Sequence, residues 1–218
     1  SNSSAASDVY KRQGLEILKQ AADEVSDELG FEIRVGVDIA ASSLWDPKRG
    51  KYVYPTEGIE LSREDHMNRV AEWTDRFNLF YVEDPLDEND MDGFVELSKQ
   101  IGSKTLICGD DLIVTRPEIL REAAERNAVR AVIIKPNQVG LLTTAMKTMR
   151  IAHEKGIVPT VSHRSGEPPE GTLSQLAVAW GGKLLKAGVV GGERVAKANE
   201  LLRIGEIIGR DRMAVLRI

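Results

Sequence analysis

Hydrophobic and polar positions along this chain follow two alternating patterns. Short apolar runs, typical of buried β-strands, are separated by longer segments in which apolar residues recur every three or four positions, as on one face of an α-helix. The predicted strands cover residues 31–37, 79–82, 105–108, 129–134, 157–161 and 184–186. The predicted helices cover residues 14–29, 62–77, 91–101, 118–126, 143–155, 172–180 and 193–208. Strands that alternate with helices predict an α/β fold with a parallel sheet.

The ends of several predicted helices carry residues that ordinarily begin or stop a helix. Ser62 and Asp65 resemble a capping box, and Pro117 stands where a first-turn proline is tolerated. Gly30 and Gly156 supply helix stops. Residues 1–13 show no such pattern, so we predict a disordered tail or an expression remnant there, followed by one domain over residues 14–218.

Each predicted strand leads to a residue that can take part in chemistry. In chain order these residues are Asp38, Glu83, Asp110, Lys135, His163 and Lys186. A parallel (β/α) barrel brings the carboxyl ends of all its strands to one rim, whereas an open doubly wound sheet uses one crevice, so the pattern favours the barrel. A closed barrel needs eight strands, and only six are predicted. We therefore expect a partial TIM-type barrel that belongs to a longer protein.

The residues at this rim suggest a hard metal ion next to a base and an anion site. Carboxylates that converge at Asp38, Glu83 and Asp110 repel one another unless a cation lies between them, and oxygen ligands select Mg²⁺ or Ca²⁺ over Zn²⁺. Lys135 ends an apolar strand, where burial of an ammonium is costly unless the site uses it. Arg164 follows His163 directly, which suits the binding of an anion.

Each of these residues, taken alone, also has an ordinary structural explanation. An acidic residue after a strand is more often a helix cap or a solvated loop residue than a metal ligand. Asp84 and Asp111 are the structural alternates, because neighbouring residues on a strand point to opposite faces. His163 alone is as often a hydrogen-bonded loop histidine as a catalytic one. His66 and His153 fall within predicted helices, and we assign them no role.

Composition narrows the classes of function. The 218 residues carry a net charge of −5, and acidic and basic residues are interspersed. The sequence therefore shows no cluster of basic residues that would bind nucleic acid or anionic lipid. No apolar run is long enough to cross a membrane, and no secretory signal pattern is present, so we expect a cytoplasmic protein without membrane or nucleic-acid partners. Cys108 is the only cysteine, which excludes an intrachain disulfide.

Several motifs resemble, in sequence and in spacing, those of the enolase family. The matching stretches are GVDIAAS at residues 36–42, VEDP at 82–85, GDDLIVT at 109–115, IIKPNQVG at 133–140, SHRSGE at 162–167 and ERVAKANELLRI at 193–204. The resemblance implies the C-terminal barrel domain of the enolase fold. It also implies phosphopyruvate hydratase activity, the magnesium-dependent reversible dehydration of 2-phosphoglycerate to phosphoenolpyruvate, and a homo-oligomer for the full-length parent.

The resemblance assigns roles to individual residues. The expected magnesium ligands are Asp38, Glu83 and Asp110. Lys135 matches the base that accepts the proton from carbon 2, and His163 matches a second catalytic position. The expected substrate-binding residues are Lys135, His163, Arg164, Ser165 and Lys186.

Departures from the family pattern limit what we expect of the chain alone. Leu141 stands where the family usually has Ser or Thr, and the run PPEG at residues 168–171 replaces a Thr-containing acidic run. The N-terminal capping domain and the glutamates that act as the acid have no counterpart in these 218 residues, so we expect the isolated chain to be inactive or nearly so. The alternatives are another magnesium-dependent enzyme of the superfamily, such as a racemase or cycloisomerase, and a non-catalytic interaction module.

Overall fold

The structure, a computed structural model, describes residues 3–216, with side chains from Gln13 onward. The chain forms two compact units. The first contains the residues up to Cys108 together with Asn127–Val129, and the second contains Gly109–Arg126 and the residues from Arg130 onward. Within residues 3–216, no helix combines the length with the apolar character that a membrane span requires.

The first unit alternates helices with short strands and adds a small hairpin sheet. Its helices are α1 (Ser3–Leu29), α2 (Arg63–Phe77) and α3 (Met91–Ile101). Its strands are β1 (Gly36–Asp38), β2 (Trp45–Asp46), β3 (Lys51–Tyr54), β4 (Ile59–Leu61), β5 (Tyr81–Glu83) and β6 (Leu106–Gly109). Strands β1, β5 and β6 are parallel, and Asp38, Glu83 and Cys108 are in register across them.

The second unit repeats the strand-then-helix pattern. Its helices are α4 (Pro117–Glu125), α5 (Pro136–Val139), α6 (Leu142–Glu154), α7 (Thr172–Ala179) and α8 (Gly192–Ile208). Its strands are β7 (Ala131–Ile134), β8 (Val158–Ser162) and β9 (Leu184–Lys186), which pair in parallel in that order. All four residues of β7 are buried, as expected for a parallel strand covered on both faces.

Local signals in the sequence explain where several of these elements begin. The Ser62 hydroxyl accepts the Asp65 N–H at 3.1 Å and donates to the Asp65 carboxylate at 2.6 Å, which confirms the predicted cap of α2. Pro117 is the first residue of α4, where its missing N–H is not needed. Gly30 adopts a left-handed φ of 71° directly after α1, as a helix stop requires.

The predicted elements and the structure differ most clearly at three places. Helix α1 begins at Ser3, whereas the pattern predicted no element before residue 14. The first strand begins at Gly36 rather than at residue 31, because the Ile33 N–H donates to the Ser26 hydroxyl at 2.7 Å instead of joining a strand ladder. The antiparallel sheet β2-β3-β4 was missed, since its strands have only two to four residues, too few for a clear period of two. The predicted domain boundary at residue 14 stays a prediction.

Candidate active site

Two of the predicted metal ligands end neighbouring strands of the first unit. Asp38 ends β1 and Glu83 ends β5, and the two residues are directly in register. The Ile39 N–H donates to the Glu83 carbonyl at 3.0 Å and holds the strand ends together. Residues in register on parallel strands project from the same face of the sheet. The structure therefore brings Asp38 and Glu83 together, as the sequence predicted.

The environments of these two carboxylates differ. Asp38 is exposed and accepts the Ala40 N–H at 3.1 Å, whereas the side chain of Glu83 is fully buried. A buried carboxylate needs hydrogen-bond donors or a cation, and the Tyr81 hydroxyl donates to Glu83 Oε2 at 2.8 Å. Burial raises the pKa of Tyr81, so its hydroxyl keeps the proton that it donates. Sequence reasoning missed Tyr81, although its position two residues before Glu83 places it on the same face of the strand.

The backbone turns sharply where β1 and β5 end. Ala40 and Asp84 both have left-handed φ angles, of 47° and 40°. Backbone bonds hold this conformation, since the Asp84 N–H donates to the Cys108 carbonyl at 3.0 Å and the Ala41 N–H donates to the Asp84 carbonyl at 3.1 Å. Non-glycine residues held in this region carry strain on the order of 1–3 kcal/mol each. The strain lies directly beside the predicted metal ligands.

In the second unit, Lys135 and Asp110 form an ion pair. The Lys135 ammonium donates to Asp110 Oδ2, and the two side chains are only 15% and 8% exposed. The Lys135 N–H donates to the Thr115 hydroxyl at 2.9 Å. Thr115 is itself held by Thr148 of α6, whose hydroxyl donates to the Thr115 carbonyl at 2.7 Å. The predicted base is thus fixed at both its backbone and its amine.

His163 and Lys186 also lie side by side in the second unit. The His163 N–H donates to the Lys186 carbonyl at 3.1 Å, one residue beyond the register pair of Ser162 with Lys186. Nη1 of Arg194 lies 3.1 Å from Nε2 of the His163 ring, and a guanidinium can only donate. Burial, and next the positive charge of Arg194, lower the pKa of His163. The imidazole is therefore neutral at pH 7 and accepts from Arg194.

The remaining predicted substrate contacts lie in the loop after β8. Arg164 and Ser165 are both exposed there. The Arg164 N–H donates to Oε2 of Glu167 at 3.2 Å, which ties the backbone of Arg164 to a residue of its own loop. Each unit thus gathers its own share of the predicted residues. The predicted convergence of all of them on one rim stays a prediction.

The structure also describes the residues to which we assigned only a structural role or none, and that view of them stays a prediction. Asp84 is buried and Asp111 is exposed. His153 lies within hydrogen-bond distance of the Trp180 carbonyl, at 3.0 Å. His66 is fully buried, with Nδ1 2.7 Å from the Tyr54 hydroxyl and Nε2 2.8 Å from the Pro85 carbonyl. These ring nitrogens therefore have polar neighbours, and the absence of a chemical role for the two histidines stays a prediction.

Comparison with known proteins places these residues in a family context. Residues 4–214 match the family described as "Enolase, C-terminal TIM barrel domain". An enolase of Methanothermobacter thermautotrophicus is 50% identical over 202 residues, which cover 93% of this chain and 49% of that protein. An enolase of Archaeoglobus fulgidus is 47% identical over 211 residues, which cover 97% of this chain and 51% of that protein. The chain spans about half the length of the curated relatives that it matches.

The family match decides between the folds that the sequence left open. It confirms the TIM-type α/β barrel over the doubly wound sheet. The identities are to enolases and extend over most of the chain, which favours enolase over a racemase or cycloisomerase. The chain therefore belongs to the enolase family, and its residues 4–214 correspond to the C-terminal TIM barrel domain of that family.

Proposed function

We propose that this chain carries the base and the first metal site of a phosphopyruvate hydratase, which dehydrates 2-phosphoglycerate to phosphoenolpyruvate. Membership of the enolase family supports the reaction. One observation carries the assignment of the residues. Lys135, directly after the buried strand β7, directs its amine to the carboxylate of Asp110, which we propose as a metal ligand.

The carboxylates fit a hard divalent cation. Asp38, Glu83 and Asp110 offer only oxygen donors, which suit Mg²⁺ better than Zn²⁺. The Glu83 side chain is fully buried and that of Asp110 is 8% exposed, and carboxylates at such depth are costly without a cation or strong donors. We propose that these three residues would hold Mg²⁺, which supplies positive charge for the carboxylate end of the substrate when it is bound.

Lys135 is the proposed proton acceptor. Its amine takes the proton from carbon 2 of 2-phosphoglycerate, and the electron pair of that C–H bond builds negative charge on the substrate carboxylate. That pair then forms the double bond between carbon 2 and carbon 3 as the bond between carbon 3 and its hydroxyl oxygen breaks, and the departing hydroxide takes a proton from solvent or from an acid other than the proposed site residues to leave as water. The Thr115 hydroxyl fixes the backbone of Lys135, which reduces the reorganisation needed to bring the amine to carbon 2.

Residues that follow β8, together with Lys186 at the end of β9, suit the phosphate and carboxylate ends of the substrate. Arg164 presents a planar fork that can donate two parallel hydrogen bonds to a phosphate. Ser165 adds a hydroxyl donor next to it, and Lys186 adds a positive charge at the end of β9. His163 is neutral, so it can donate a hydrogen bond to the substrate without adding another charge.

Exchange of the carbon 2 proton tests this function at its first step. In D₂O with Mg²⁺, the protein is expected to introduce deuterium at carbon 2 of 2-phosphoglycerate, which NMR detects, even though we expect the chain alone to complete little or no dehydration. Lys135→Ala removes the base. We expect it to lower the rate of deuterium incorporation by at least about a hundredfold, the scale typical of general bases. Exchange is measured rather than turnover because it reports the base alone.

Lys183→Ala is the matched control, because Lys183 is an exposed lysine of the same unit that belongs to no proposed role. It should exchange deuterium at the rate of the unaltered protein. Exchange that persists in Lys135→Ala at the original rate would remove Lys135 from the role of base.

A further inference from the structure

Lys197 is a buried charge that the proposed reaction does not use. It lies in the middle of α8, and its side chain has no exposed surface. An ammonium is rarely buried unless polar partners replace its hydration, because the desolvation cost is large. The groups that Lys197 contacts therefore indicate what the residue does.

The partners of Lys197 lie in the loop that carries Arg164 and Ser165. Its ammonium donates to the carbonyl oxygen of Pro168 and lies 3.6 Å from Oε1 of Glu167. The other carboxylate oxygen of Glu167, Oε2, accepts the Arg164 N–H at 3.2 Å. The Glu167 side chain is 12% exposed, so this carboxylate is also largely removed from water. Lys197 thus reaches the backbone of Arg164 through a single intervening carboxylate.

Helix α8 holds the same loop at two further points. Arg194, one turn before Lys197, contacts the His163 ring at 3.1 Å. Glu200, one turn after Lys197, packs against Gly171 so closely that a Cβ at Gly171 would lie 2.5 Å from Glu200 Cγ. Residues three apart are neighbours on one side of a helix. One side of α8 therefore fastens the beginning, the middle and the end of the loop from 163 to 171.

We propose that Lys197 is a positioning residue for the substrate-phosphate site. It fixes Glu167 and Pro168, and through Glu167 it fixes the backbone from which Arg164 and Ser165 project. Both of those side chains are exposed, so their own packing does not order them, and a loop that is ordered before binding loses less entropy when an anion binds. The proposal rests on the function proposed above for Arg164 and Ser165.

Lys197→Met tests this proposal, because it removes the charge and keeps most of the length of the side chain. We expect the variant to bind phosphoenolpyruvate, measured by calorimetry with Mg²⁺ present, on the order of tenfold more weakly. We expect the Arg164 amide to exchange faster with D₂O, since its acceptor is no longer held. Magnesium binding measured without phosphoenolpyruvate should be unchanged, because Lys197 contacts no proposed metal ligand.

Two further variants keep the outcome interpretable. Lys183→Met makes the same chemical change at an exposed lysine of the same unit, and it should alter none of the three measurements. Glu167→Gln keeps an acceptor for the Arg164 N–H and removes the charge that faces Lys197. It should reproduce the weaker binding, and it provides the test if Lys197→Met does not fold.

The outcomes separate this proposal from the function on which it rests. If the unaltered protein binds no phosphoenolpyruvate, the proposed function fails. If the unaltered protein binds it, and Lys197→Met and Glu167→Gln bind it equally well with unchanged Arg164 exchange, the role of Lys197 is overturned. Parallel loss of magnesium binding in the variants would also overturn it, since it would assign Lys197 to general stability.

Discussion

His163 shows how burial and a neighbouring cation together affect the protonation of a candidate site residue. The Arg194 guanidinium lies 3.1 Å from a ring nitrogen of His163, and it carries a permanent positive charge. Protonation of the ring would place two positive charges side by side in a partly buried position. Burial and Arg194 therefore both lower the pKa of His163. A neutral ring at this position can donate or accept a hydrogen bond without repelling Lys186 or Arg164.

Arg194→Leu should raise the pKa of His163, because it removes the positive charge that opposes protonation. An NMR titration of the His163 ring signals measures the change directly. Arg150→Leu, at an exposed arginine of α6, is the control and should leave the titration where it is. A His163 titration that is the same in both variants would show that burial alone sets this pKa.

The same shift predicts how stability depends on pH. His163 has a lowered pKa in the folded protein, so the unfolded state binds the proton more readily, and stability is lost as the pH falls below about 6.5. Above that value the contribution is constant. The decline in the free energy of unfolding between neutral and mildly acidic pH should therefore be shallower in Arg194→Leu than in the unaltered protein, as measured by urea unfolding.

The sequence could nominate residues for the proposed chemistry, whereas it could not indicate the residues that hold them in place. Glu83 and Lys135 are candidates because parallel strands end at one edge of a sheet, where residues at the strand ends can meet. Tyr81, Thr115 and Lys197 act through hydrogen bonds that only the folded chain creates. The sequence pattern places Lys197 among the polar residues of an amphipathic helix. Its neighbours in sequence do not indicate that its side chain is buried.

At the scale of elements, the small sheet β2-β3-β4 supports the loop that follows Glu83. Tyr54 of β3 lies 2.7 Å from Nδ1 of the buried His66, and Nε2 of His66 lies 2.8 Å from the Pro85 carbonyl. A carbonyl can only accept, so Nε2 carries the hydrogen and Nδ1 accepts from Tyr54. Tyr52 of the same strand accepts the Asp87 N–H at 2.9 Å. The hairpin and α2 together hold both ends of residues 85–87.

Tyr54→Phe should destabilise the protein by about 1–3 kcal/mol, because it leaves Nδ1 of a buried histidine without this donor. Burial raises the pKa of Tyr54 to about 12, so the hydroxyl keeps its proton throughout the pH range of the experiment. Urea unfolding measures the change. Thr56→Val removes an exposed hydroxyl nearby and should change the free energy of unfolding by less than about 0.5 kcal/mol. Equal stabilities of the two variants would contradict the importance of the bond to His66.

The elements that were predicted well are those whose signals are local. The cap at Ser62, the proline that begins α4 and the buried strand β7 each follow from residues close in sequence. The hairpin sheet was missed because its order comes from packing: Tyr52 and Tyr54 are buried against His66, with the Tyr52 ring stacked on it at 3.8 Å. The hydrophobic pattern of a four-residue strand is too short to indicate that contact.

At the scale of the whole molecule, left-handed backbone and buried carboxylates recur after the parallel strands. Left-handed φ angles at non-glycine residues follow β1 at Ala40, β5 at Asp84 and β6 at Val114. Buried carboxylates occur at the same positions, at Glu83, Asp84 and Asp110. Such features lower stability and persist where function requires them. The strand ends are therefore expected to gain stability when the proposed cation binds.

Glu83→Gln separates the cost of the buried charge from the stability gained when the cation binds. Without Mg²⁺ the variant should be at least as stable as the unaltered protein, since it removes a buried charge and its amide oxygen can still accept from Tyr81. With Mg²⁺ the unaltered protein should be the more stable of the two, because only the unaltered protein binds the ion well. Binding to the folded state alone adds about 2.7 kcal/mol at a concentration a hundred times the dissociation constant.

The measurement is the midpoint of thermal unfolding over a series of Mg²⁺ concentrations. The midpoint of the unaltered protein should rise steadily with the logarithm of the concentration, whereas that of Glu83→Gln should stay nearly flat. Glu88→Gln makes the same change at an exposed carboxylate five residues away, and its midpoints should follow those of the unaltered protein. Parallel curves for all three proteins would mean that Glu83 is buried for packing alone, and they would remove it from the proposed metal site.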